Sequence, residues 1–376
     1  MKVYHKFLTI IMAAFLLIVA ALNIIIPDKN FSESENRVLK KRPDFSWDKL
    51  LKGKFTTDYE EYITDQFAFR DFWVSMKSAA EIGLHKKDSN GVYLGKDGYL
   101  LQKVDKVDKN IFNKNIEAIN TFAKDNPSTS MYFLLAPNSA EMLKEKLPKF
   151  APHKDQLSII NEVKKNLNTK VKFVDVYNDL ASHKDEYIYY KTDHHWTSLG
   201  AYYAYKNLAL TMGNNPLNID DFNVEKVTDK FYGTLYSKGN YRFINPDSIH
   251  IFKPKVELKY KVEYLDDGKS SSSLYELSHL EKKDKYSVFL DGNHALITIS
   301  TGANTGRKLL VLKDSYAHSL VPFLTNHYDE IHMIDLRYFN MDIDDYMKQF
   351  NLNEVLLLYN VSSFTEDNSI AKVKFK

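Results

Sequence analysis

Asp193, His194, His195 and Trp196 stand side by side in KTDHHWTSLG (191–200), and Ser315 follows far downstream in KDSYAHSLVPFL (313–324). A serine hydroxyl attacks carbonyl carbon when a base takes its proton and a third group fixes that base's tautomer. In extended chain, residues i and i+2 point to one side. Asp193 and His195 can therefore cooperate, with His194 directed away, so His195 is the expected base and Asp193 its holder. Ser315 follows the apolar run LLVL (309–312) and precedes a helix-like segment. Strand, sharp turn and helix expose a nucleophile at the carboxyl edge of a parallel sheet. The same arrangement aims the first helical N–H groups at a developing oxyanion.

Blander readings exist for each residue. Ser315 could be a helix cap, the histidines could cap or pack, and Trp196 could be a core anchor. Asp with two histidines is also a familiar metal set. Adjacent histidines diverge on extended chain, however, and His250, His294, His318 and His332 are scattered, so neither a metal nor another cofactor is expected.

The elements that must position these groups follow from periodicity. Residues 7–26 (FLTIIMAAFLLIVAALNIII) carry no charge; a helix of that length, at about 1.5 Å per residue, spans a hydrocarbon core of about 30 Å. Lys2 and Lys6 precede it and no A-x-A-like cleavage site follows. The expectation is an uncleaved anchor over 1–27, with the N-terminus cytoplasmic and the chain from about 30 onward outside. Residues 28–85 read as a polar stalk and a helical region, the latter over about 49–81. GVYLGKDGYLL (91–101) predicts a hairpin turning at Lys96-Asp97-Gly98. Residues 86–376 read as one α/β domain.

Within it, helices at 111–124, 157–167 and 197–212 alternate with apolar strands at 131–135, 171–176, 308–312, 331–334 and 355–358. Strands apolar throughout predict a parallel sheet with helices on both faces. Thr197 is a good N-cap. Residues 215–305 are richer in short β-like runs and read as a β-rich insertion.

A net charge of +2 gives no electrostatic case for nucleic acid as a partner. Without cysteine there is neither a disulfide nor a thiol nucleophile. The 25 Tyr and 23 Phe can stack on sugars, though most belong to the core and half-buried strands.

At D-H-H-W (193–196) and at KDSYAHSLVPFL with IDLRYF (334–339), the sequence resembles the DHHW protein family. That family is related to the SGNH-hydrolase-like alginate O-acetyltransferases, which carry acetyl onto an exopolysaccharide outside the cell. VYLGKDGYLL (92–101), SENRVLKKRP (34–43) and DQFAFRD (65–71) resemble further segments of those proteins. The resemblance implies an SGNH-like α/β fold and assigns Asp193, His195 and Ser315 to the catalytic set. Lys313 departs from it, standing where ordinary SGNH enzymes place glycine. The order Asp and His before Ser also reverses that of classical SGNH hydrolases, although it suits the acetyltransferases.

Oxyanion donors are then sought in the backbone N–H groups of Ser315 and Tyr316, and in the side chains of Asn293 (LDGNH) and Asn138 (LLAPNSAEM). Arg337 could bind substrate oxygen or be a surface ion-pair residue, and Trp196 completes the substrate-binding candidates. The function expected is serine acyl transfer onto an exopolysaccharide or cell-wall glycan. A membrane-bound O-acyltransferase is the required acetyl donor, because acetyl-CoA is not available outside the cell. An esterase using water, and a non-catalytic glycan-binding scaffold, are the rival expectations.

Overall fold

The structure, a computed structural model, describes residues 2–32, 37–84, 86–104 and 106–374. Residues 34–36 of the SENRVLKKRP segment lie outside the described residues. Helix α1 (Lys2–Ile25) contains, over Val3–Ile25, the one span among the described residues long and apolar enough to cross a membrane. The Asn23 side chain near its end accepts the Ala68 N–H at 2.9 Å, which ties the helix to the following region. That region is helical as expected, but in three pieces: Trp47–Leu51, Lys54–Asp65 and Arg70–Gly83. Gly53 (φ 71°) and Phe69 (φ 56°) interrupt it, since a left-handed residue cannot continue a right-handed helix. Val92–Leu94 and Leu100–Gln102 pair antiparallel around the Lys96–Gly98 turn.

In the α/β layer, α2 (Lys109–Asp125) opens on Asp108, whose carboxylate accepts the N–H groups of Asn110 and Ile111. Strand β1 (Ser130–Ala136), α3 (Gln156–Asn166), β2 (Val171–Val174) and α4 (Ser198–Thr211) follow. Then come β3 (Lys261–Tyr264), β4 (Lys269–Ser271), β5 (Leu296–Ser300) and β6 (Lys308–Lys313). The chain ends through α5 (Ala317–Leu324), β7 (Glu330–Ile334), α6 (Ile343–Phe350), β8 (Glu354–Asn360) and α7 (Val361–Glu366), with a short 3-10 segment beyond.

The eight strands form one sheet in the order β4-β3-β5-β7-β6-β8-β1-β2. From β7 to β2 all neighbours are parallel. At the other edge β5, β3 and β4 add antiparallel, so the β-rich stretch divides. Its first part is a two-stranded ribbon, Phe222–Phe231 with Asp247–Pro254, and its second part extends the sheet.

Both faces are covered, and the strands show why they read as apolar throughout. On β6, Leu309 and Val311 enter one core while Leu310 and Leu312 enter the other. On β1, Tyr132 and Leu134 alternate with Met131 and Phe133 in the same way. Beyond their first residues the central strands are therefore buried on both faces, at roughly 25 cal/mol per Å² of apolar surface removed from water.

Candidate active site

Ser315 occupies the turn between β6 and α5, at the carboxyl end of a central strand. Asp314 shapes that turn. Its Oδ1 accepts the Tyr316 N–H (2.9 Å), and its Oδ2 accepts both the backbone N–H (2.7 Å) and the side-chain amide (2.8 Å) of Asn360, at the end of neighbouring β8. The nucleophile candidate thus stands on a turn fastened to the adjacent strand.

His195 Nε2 lies 2.7 Å from Ser315 Oγ, and His195 Nδ1 lies 2.5 Å from Asp193 Oδ1. Asp193 is 1% exposed and His195 4%. Asp193 Oδ2 in turn accepts the Thr234 N–H (2.7 Å) and hydroxyl (2.9 Å). Burial by itself would raise the Asp193 carboxyl. The neighbouring imidazoles of His195 and His194, with the hydrogen bonds from His195 and Thr234, outweigh burial and hold it far below the usual carboxylate range. An ionised carboxylate that accepts from Nδ1–H leaves the Nε2 lone pair toward Ser315, the tautomer a general base needs.

His194 is not directed away. Its ring lies 3.8 Å from that of His195, centroid to centroid, and its Nδ1 contacts Thr234 Oγ1 at 2.6 Å. Residues 191–195 form successive bends, not extended chain, so two-residue alternation does not govern them. Burial, with repulsion from the adjacent His195 imidazole, pushes His194 down to about 4, which leaves it neutral near neutral pH.

Trp196 is fully buried. Its indole N–H donates to the Tyr316 carbonyl (3.1 Å) and to Ser319 Oγ (3.0 Å), joining the histidine loop to the segment after Ser315. Thr197 caps α4 by accepting the Gly200 N–H. Asp247 anchors the loop from the other side, accepting the N–H groups of Lys191 (2.8 Å) and Thr192 (2.7 Å).

The remaining candidates sit apart from this relay. The Tyr316 N–H is already given to Asp314, so it is not free for an oxyanion in this arrangement. The Asn138 amide donates to Ser362 Oγ (3.0 Å) and its carbonyl accepts from Gln156 (2.6 Å), a buried network at the end of β1. Arg337 grips Asp335 with two contacts, at 2.9 and 2.6 Å, and reaches Asn293 Oδ1 at 3.5 Å. Lys313 is wholly buried, with Nζ 2.6 Å from His318 Nε2 and 3.5 Å from Asp335 Oδ2.

Sequence reasoning missed Thr234 and Tyr286. Tyr286 lies parallel to the His195 ring, and its hydroxyl donates toward Ser319 Oγ (3.1 Å) and the Ser315 carbonyl (3.2 Å). Gly233 had a readable reason: a Cβ there would fall 2.2 Å from Asp193 Cβ, so only glycine lets Thr234 approach the carboxylate. A cleft of about 270 Å³ opens beside His194, lined by Gln102, Thr234, Lys238, Asn360, Ser362 and Glu366 among others.

A family model described as "DHHW protein" matches residues 111–334. A DHHW family protein from Eubacterium siraeum is similar over 76% of this chain and 95% of its own, with 26% identity and a TM-score of 0.66. Bacillus cereus PatB1, solved with a sulfonyl adduct, covers 75% of this chain and 98% of its own at 24% identity and TM-score 0.62. The O-acetyltransferase domain of Pseudomonas putida AlgJ covers 76% and 98% at 15% identity and TM-score 0.50. A search of curated protein sequences found no match. The family model matches more than half of this chain, and the chain belongs to the DHHW proteins.

Proposed function

We propose that this chain is a membrane-anchored, extracytoplasmic O-acetyltransferase acting on an exopolysaccharide or cell-wall glycan through an acetyl-serine intermediate. The observation that carries the reading is the relay Ser315 Oγ, His195 Nε2 and Nδ1, Asp193 Oδ1, with steps of 2.7 and 2.5 Å. Likeness to a chain described as an O-acetyltransferase domain supports the choice of acyl group.

His195 takes the Ser315 proton as Oγ attacks the carbonyl carbon of an acetyl donor. The tetrahedral oxyanion collapses, the donor's oxygen leaves with the proton from His195, and acetyl stays on Oγ. A sugar hydroxyl then enters, gives its proton to His195 and attacks the acetyl carbon, which restores Ser315. The Ser315 backbone N–H at the start of the turn is the proposed oxyanion donor, and loss of one such donor typically costs about 3–4 kcal/mol. The cleft beside His194 is the proposed acceptor entrance, since hydroxyl, amide and charged groups line it. Asn138, which donates to the cleft-lining Ser362, is assigned to supporting that wall. The membrane helix keeps the domain beside a membrane-bound O-acyltransferase, the proposed acetyl donor.

The test uses the full chain in detergent micelles with an activated acetyl ester. Acetyl should move to an added glycan acceptor faster than to water, and Ser315→Ala should abolish both. Release to water that glycans do not divert would make the protein an esterase. Turnover unchanged in Ser315→Ala would remove the proposed mechanism.

A further inference from the structure

Helix Arg70–Gly83 turns its apolar stripe away from the protein. Phe69, Phe72, Trp73 and Met76 recur at steps of three and four residues, the spacing of one helix face. They are 61%, 56%, 41% and 53% exposed. The face that packs inward carries Ser78 and Ile82 instead. Ser78 is buried, its hydroxyl 3.3 Å from Ser89 Oγ, and Ile82 packs against the small core of Val92, Leu100 and Leu235. At about 100° per residue, Ser78 lies roughly 170° from the middle of the stripe. Apolar residues placed to serve the protein's own core would sit on the Ser78 side.

The stripe begins beside the end of α1. The Asn23 side chain, in the last turn of α1, accepts the Ala68 N–H at 2.9 Å, one residue before Phe69. Asp28 accepts the Tyr62 hydroxyl at 3.0 Å, and Lys29 and Gln66 exchange two hydrogen bonds of 2.9 Å. The chain just past α1 is thus fastened to the chain just before the stripe. Ile26 and Pro27 share with Phe69 and Phe72 the walls of a cavity of about 340 Å³. A bilayer's polar layer adds about 5–8 Å beyond each face of its hydrocarbon core. Phe69 to Trp73 covers about 6 Å along the helix axis. With α1 as the span, that first turn falls within the polar layer whichever way the helix tilts.

We infer that Phe69, Phe72, Trp73 and Met76 form a membrane-surface contact. They insert among the lipid headgroups of the leaflet from which α1 emerges, and give the domain a second point of attachment that fixes its orientation. The inference rests on the reading of α1 as a membrane span. Aromatic rings are favoured at that depth. The Trp73 indole N–H already donates to the Ala68 carbonyl at 3.1 Å, so its ring enters lipid with no unsatisfied donor. Lipid suits the stripe better than a partner protein because stripe and span meet at one depth.

The chain has no cysteine, so single introduced cysteines can carry a nitroxide. Full-length Phe72→Cys, Trp73→Cys and Met76→Cys chains are labelled and reconstituted in phosphatidylcholine vesicles. Leu16→Cys in α1 and Leu210→Cys, exposed on α4, serve as references. Paramagnetic resonance compares collisions with oxygen, which partitions into lipid, against those with a water-soluble nickel chelate. Leu16→Cys should favour oxygen and Leu210→Cys nickel. The stripe sites should side with Leu16→Cys, at shallower depth, and any one that fails to fold leaves two to decide. Stripe sites as open to nickel as Leu210→Cys, with Leu16→Cys in lipid, would overturn the inference and leave the span standing. Nickel reaching Leu16→Cys as well would defeat the span and the inference with it. Stripe sites shielded from both reagents would be covered by protein, which also overturns the lipid contact.

Discussion

Tyr286 covers His195 face to face, with ring centroids 3.8 Å apart and planes within 6° of parallel. The two residues come from distant segments, and their contact fixes the imidazole plane while Asp193 fixes its rotation. Aromatic stacking is worth about 0.5–1.5 kcal/mol beyond burial. Tyr286→Leu should therefore lower kcat/KM for an activated ester roughly two- to tenfold. Tyr286→Phe, which keeps the ring, should recover the larger part, as steady-state kinetics on both variants will show.

Thr234 gives Asp193 two hydrogen bonds, one from the backbone and one from the hydroxyl. Thr234→Val removes the hydroxyl alone. A hydrogen bond to a charged group contributes about 1.5–3 kcal/mol, so activity should fall roughly ten- to a hundredfold. The circular dichroism spectrum should stay that of the wild type.

Gly233→Ala tests the same contact from the backbone. The added Cβ would overlap Asp193 Cβ at 2.2 Å, and the Thr234–Gly239 helix would have to retreat from the carboxylate. Activity should drop further than in Thr234→Val, with loss of thermal stability besides.

The depressed Asp193 carboxyl makes a signed pH prediction. Its folded value lies below the ordinary 3.8, so below that ordinary value the unfolded chain binds a proton that the folded chain does not. Its contribution to stability is present above the ordinary value and is lost as pH falls toward the folded one. The difference in unfolding temperature between wild type and Asp193→Asn should be greatest near neutral pH and shrink on acidification. A difference that grew in acid would contradict the relay's charge state.

Buried Lys313 gives a second window of the same sign, set by a different group. Burial lowers its ammonium below the ordinary 10.5, so the unfolded chain holds the proton more tightly. Wild-type stability, measured relative to Lys313→Met, should rise with pH from the lowered value up to about 10.5. Denaturant melts at rising pH up to about 10.5 check the sign.

Much of this arrangement was legible in local sequence. Doubly buried strands such as LLVL announced a parallel sheet, because the residues facing either side had to be apolar. The D-H-H-W block and the Asp-Ser turn carried their chemistry in adjacent letters. Tyr286, Thr234 and Asp247 left no such mark, since each reaches the site through a contact distant in sequence. His194 was misplaced because the rule applied to it holds only for extended chain, and Asp247 bends that loop by taking the N–H groups of Lys191 and Thr192. Tyr316 looked available as a donor until Asp314 claimed its N–H.

The most direct measurement is the intact mass of the full chain after brief exposure to an activated acetyl ester, followed by peptide mapping. The account predicts one acetyl group on Ser315, absent from Ser315→Ala and strongly reduced in His195→Ala. Acetyl found only on lysines, at equal levels in wild type and both variants, would contradict it.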